Sequence, residues 1–80
     1  MNQEKLNNFM VEYEKALTEA VLKYNSEYRY PVSDVPNVVA KMKVAIENNT
    51  FSAAGRGFKG ACKALGIKHT YKAISAYLER

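Results

Sequence analysis

From Leu6 onward the apolar residues fall at Leu6, Met10, Tyr13, Leu17, Ala20 and Tyr24, in steps of four and three that alternate. This spacing follows the 3.6-residue helical turn and places all six on one face. It predicts one long amphipathic helix, widened by Phe9, Ala16, Val21 and Tyr28. Asn2 stands where an N-cap is needed, and Pro31 ends the run because the residue before a proline is pushed out of the α region. The expected span is about 3–29. The other face carries Glu12, Glu19 and Lys23, with Glu19 and Lys23 spaced as an i,i+4 pair. The alternating spacing also suits pairing with a second copy, so Leu6, Met10, Tyr13, Leu17 and Tyr24 form a candidate homodimer face.

A second helix is expected over 35–48. Ser33 or Asp34 caps it, Pro36 is tolerated in its first turn, and Val35, Val38, Val39, Met42, Ala45 and Ile46 recur at helical spacing. Asn48 and Asn49 make a natural stop, while Lys41 and Lys43 point outward. Ser52 is the candidate cap of a third helix over 53–65. Gly55, Gly57 and Gly60 weaken its start, each by up to about 1 kcal/mol relative to alanine. Their GxGxxG spacing follows no strand, so it lacks the setting of a phosphate loop, and Gly57 or Gly60 is instead a place for another backbone to come close. Gly66 closes this helix in a left-handed conformation. Thr70 caps a fourth over 70–79, with Tyr71, Ile74, Tyr77 and Leu78 as its stripe. No strand pattern occurs, so residues 1–80 read as a single compact all-α domain of four helices.

Charge sharpens the picture. Residues 1–50 hold six Lys or Arg against seven Asp or Glu, a net of −1; residues 51–80 hold six against one, a net of +5. The positive field therefore belongs to the C-terminal part and suits a polyanion or an acidic protein surface. Apolar residues at 48% and charged residues at 25% are the proportions of a chain that folds. No leader or membrane-spanning run is apparent, so a cytoplasmic location is expected.

Little in the sequence suggests catalysis. His69 is the sole histidine and Cys62 the sole cysteine, which leaves no His- or Cys-based metal site, no internal disulfide and no Ser-His-Asp arrangement. Cys62 reads as a small buried residue on a helix. Glu12 and Glu19 read as part of a solvated face, and the tyrosines at 24, 28 and 30 as core with hydroxyls reaching the surface. The expectation is a binding protein with no cofactor, not an enzyme.

The segment Ala61-Cys62-Lys63-Ala64-Leu65-Gly66-Ile67, followed by Thr70 and the anchors Tyr71 and Ile74, resembles the first helix, turn and capped second helix of helix-turn-helix proteins. The Fis family and many phage regulators are similar in this respect. The likeness covers about twenty residues, 58–78, and the turn is one residue shorter than the usual pattern. A short basic chain of this kind also resembles small phage or prophage proteins. The resemblance implies DNA binding, with Lys68, His69, Thr70, Lys72, Ala73 and Ala76 at the start of the reading helix and Arg56, Lys59 and Lys63 on phosphates. The other reading is a phage-type inhibitor or adaptor that sets the same basic face on an acidic host protein.

Overall fold

The computed structural model describes residues 1–79. It contains four helices, α1 (Gln3–Lys23), α2 (Val35–Glu47), α3 (Arg56–Leu65) and α4 (Tyr71–Glu79), with short 3-10 turns at Asn25–Glu27 and Val32–Asp34. No strand occurs among the described residues.

Local chemistry sets most helix ends. Asn2 Oδ1 accepts the Lys5 N–H at 3.1 Å and caps α1. The Asn2 N–H donates to the Leu78 carbonyl at 2.8 Å, which ties the start of α1 to the end of α4. At the end of α3, Gly66 sits at φ 69°. The Ile67 N–H reaches back to the Cys62 carbonyl at 3.0 Å and the Gly66 N–H to that of Lys63 at 3.3 Å, which is a Schellman closure. Asn49 at φ 57° ends α2 in the same way, with Thr50 N–H on the Ala45 carbonyl at 2.8 Å. Thr70 Oγ1 accepts the Ala73 N–H at 3.1 Å and caps α4.

Two boundaries differ from the sequence expectation. The first helix stops at Lys23, not near residue 29: Tyr24 leaves helical geometry at φ −119°, ψ 43°. Asn25 and Ser26 are poor helix formers whose side chains compete for backbone bonds, and beyond them Tyr28 and Tyr30 fold back on the core with their rings edge to face at 5.8 Å. The third helix begins at Arg56 after Gly55, not at residue 53 after Ser52. Phe51 is drawn inward, stacking on Phe58 at 5.8 Å and meeting Tyr71 at 4.9 Å. The chain between Phe51 and α3 takes no regular structure, and Gly55, at φ 104°, leads into the helix.

Helix α1 is the spine. Its buried residues Leu6, Phe9, Met10, Tyr13, Leu17, Ala20 and Val21 receive the other three helices. α3 crosses it in the reverse sense, Arg56 near Tyr24 and Lys63 near Glu12. Phe58 is the hub, 5.8 Å from the Phe9 ring and 5.0 Å from the Tyr13 ring. Gly60 faces Ala16 so closely that a Cβ there would overlap the alanine methyl, and a Cβ on Gly57 would come within 2.6 Å of the Tyr13 ring. The face assigned to a homodimer is thus consumed inside the chain. Leu6, Met10, Tyr13 and Leu17 are buried in this core, and the Tyr24 ring is covered by Arg56. α3 and α4 each pack on α1 and share few close contacts with each other, so a mutually packed helix-turn-helix pair is not confirmed.

Burial makes the fold sensitive to alkali. The Tyr13 hydroxyl is pushed up to about 12, first by desolvation and then by Tyr30 and Tyr28. Above pH ~10 the unfolded chain loses this proton while the folded chain keeps it, so stability falls between pH ~10 and ~12. The loss expected from this group is about 2 to 3 kcal/mol. Tyr30 and Cys62, both also raised by burial, act in the same direction. Urea midpoints measured across that window should drop steeply for the natural chain and less steeply for Tyr13→Phe; equal slopes would remove Tyr13 as the cause.

Candidate nucleic-acid interface

Because Phe58, Ala61, Cys62 and Leu65 turn one side of α3 inward, Arg56, Lys59 and Lys63 are left as an exposed stripe on the other side. The three do not stand alike. Arg56 forms an ion pair with Glu27, and its guanidinium lies 3.9 Å from the centre of the Tyr24 ring. It is held charged above the usual arginine range, first by the hydrogen bond to Glu27 and then by one to Tyr28. Its position is that of a clasp between the end of α1 and the start of α3, which uses the charge the sequence reading assigned to a phosphate. Lys59 and Lys63 have no carboxylate within ion-pair distance among the described residues.

The residues at the turn divide similarly. His69 Nε2 forms a hydrogen bond with the Ala53 carbonyl; a carbonyl only accepts, so Nε2 carries the proton. The contact pins the turn at 66–70 to the irregular link before α3. Thr70 Oγ1 accepts the Ala73 N–H that it caps. The Thr70 cap is the one its place in the sequence implied, whereas the His69 contact, across 16 residues, is structural work that the motif did not reveal. Lys68 and Lys72 are exposed and, among the described residues, have no ion-pair partner.

Between α1 and α3 runs a shallow groove with a hollow of about 410 Å³, floored by Ala16, Ala20 and Gly60. The small residues let the two helices approach, which brings the polar side of α1 beside the stripe of α3. Lys23 and Glu19 line the groove from α1, opposite Lys59 and Lys63. It continues past Lys63 to Lys15 and Glu12, which pair with each other at 3.5 Å. Lys68 and Lys72 do not line it. Lys23 does not pair with Glu19 as its spacing suggested, and its ammonium lies 5.5 Å from the Tyr24 ring centre. Sequence reasoning missed Lys23, Lys15 and Glu19 as members of this face. Sequence periodicity places them on the polar side of α1 but cannot say which helix that side borders.

A second hollow of about 420 Å³ lies between α2 and α4, with Phe51, Tyr71, Ile46 and Leu78 beside Glu47 and Glu79. The Tyr71 hydroxyl donates there to Asn49 Oδ1. Among the described residues no group of three or more His, Cys, Asp or Glu stands close enough to hold a metal ion, and no helix is long and apolar enough to cross a membrane. Comparison of the chain with protein-family models, with curated proteins and with solved structures found no match.

Proposed function

We propose that this chain is a non-enzymatic protein that binds double-stranded nucleic acid, DNA foremost, by docking its basic surface on the phosphate backbone. The observation that carries this is the state of four lysines. Lys59, Lys63, Lys68 and Lys72 are exposed and, among the described residues, unpaired, in a chain segment of net charge +5. Arg56, in the same segment, is paired with Glu27, so among the described residues these four lysines carry the segment's available charge. Unpaired ammonium groups displace condensed counterions from a duplex, and that release drives binding. With α3 and α4 packed separately on α1, the helix pair that would set a reading helix in the major groove is weakened as an explanation. Phosphate contact needs only the charges.

Fluorescence anisotropy of a labelled random duplex, titrated at several salt concentrations, tests this. Dissociation constants on the order of micromolar to 100 micromolar near physiological salt are expected, with affinity falling linearly in log salt. The variant K59Q/K63Q/K68Q/K72Q, its fold verified by circular dichroism, should lose nearly all binding. Absence of binding by the natural chain at low salt would reject the proposal and direct attention to an acidic protein as the partner of the same face.

A further inference from the structure

We infer that the duplex backbone lies along the groove between α1 and α3, with Lys23 of α1 as one of its contacts and Glu19 as a carboxylate that holds the affinity down. This rests on the nucleic-acid reading above and says where on the molecule it acts.

Lys59 and Lys63 are one helical turn apart, about 6 Å along α3. Lys23 faces them from α1 across the groove, so cations stand on both of its sides to meet phosphates of a duplex. Gly60, Ala16 and Ala20 keep the floor between the two rows low. Such a face can seat a backbone. It offers little to stack a base, because the Tyr24 ring is covered by the Arg56 guanidinium at 3.9 Å and approached by Lys23 at 5.5 Å. Single-strand binding relies on open aromatic faces, so the groove suits duplex phosphates and carries no base readout. Glu19 lines the same hollow and, among the described residues, has no ion-pair partner. Its charge opposes the ligand and is the one acidic side chain lining the hollow beside Lys23, Lys59 and Lys63.

The experiment uses the full chain and a labelled duplex, with K23Q, E19Q, K59Q/K63Q and K68Q/K72Q compared by anisotropy across a salt series. One phosphate contact is worth a factor of about eight at ~0.1 M salt, so K23Q should weaken binding about eightfold and flatten the log–log salt slope by about 0.9. E19Q should tighten binding by about twofold, a gain that misfolding cannot imitate. AT-rich and GC-rich duplexes should bind within about twofold of each other. Natural affinity and slope in both K23Q and E19Q would overturn the groove assignment, and loss confined to K68Q/K72Q would move the contact to the start of α4; in either case duplex binding itself stands. Failure of the natural chain to bind at low salt would instead reject the nucleic-acid reading and this inference with it.

Discussion

Phe58→Ala is expected to remove a large part of the fold's stability. Phe58 is 1% exposed and its ring meets those of Phe9, Tyr13 and Phe51, so it joins α1, α3 and the link before α3 in one cluster. Truncating a buried phenylalanine costs about 3 to 5 kcal/mol, from lost transfer energy and the cavity left behind. A domain of this size has a total stability of roughly 4 to 12 kcal/mol, so one substitution removes between about a quarter and all of it. The cavity is poorly placed to collapse, because its walls belong to helices already held by Gly60 on Ala16 and by Arg56 on Glu27. Urea titration followed by far-ultraviolet circular dichroism would report it. Phe58→Leu, which keeps most of the volume, should unfold at a modestly lower midpoint, whereas the Phe58→Ala midpoint should fall much further. A Phe58→Ala midpoint close to that of the natural chain would mean that Phe58 is not the hub.

Gly60→Ala is expected to destabilise, against the direction that helix propensity alone predicts. In an exposed helix interior alanine is better than glycine by about 1 kcal/mol. Here the added methyl falls on Ala16 Cβ, and Ala16 has nothing beyond that atom to swing aside, so α3 must lift from α1. Overpacking of this kind costs about 1 to 3 kcal/mol and outweighs the propensity gain in most of that range. The cause can be isolated with a second change. In Gly60→Ala combined with Ala16→Gly the methyl moves from one helix to the other and the overlap disappears. A double-mutant cycle in urea should give a favourable coupling of about 1 kcal/mol or more. A higher midpoint for Gly60→Ala, or additivity in the cycle, would show that the helices have room to spare.

What was legible in advance follows from which interactions are local. The caps at Asn2 and Thr70 and the stops at Asn49 and Gly66 involve partners within five residues, so residue type and spacing were enough to place them. The buried stripe of α1 was legible because burial of one face imposes the helical period whatever lies against it. The boundaries at Lys23 and Arg56 were not, since the first depends on where Tyr28 and Tyr30 pack and the second on Phe51 leaving the helix to stack on Phe58. The same division runs through the basic face. Arg56 and Lys59 look equivalent in the chain, and only the fold brings Glu27, 29 residues away, to Arg56.

The sequence by itself thus determined four helices, the direction each one's apolar face must turn, and the concentration of positive charge in the last thirty residues. These are properties of neighbours along the chain and of composition. Tertiary structure decided that the stripe of α1 meets α3 of its own chain and not a second copy, because Gly57 and Gly60 allow an approach close enough to bury it there. It also decided that α3 and α4 dock separately on α1, which charges are spent in clasps, and that Lys23 and Glu19 border the basic stripe. Those outcomes rest on which surfaces are shaped to fit at long separation, and hydrophobic spacing carries no record of the partner it will meet.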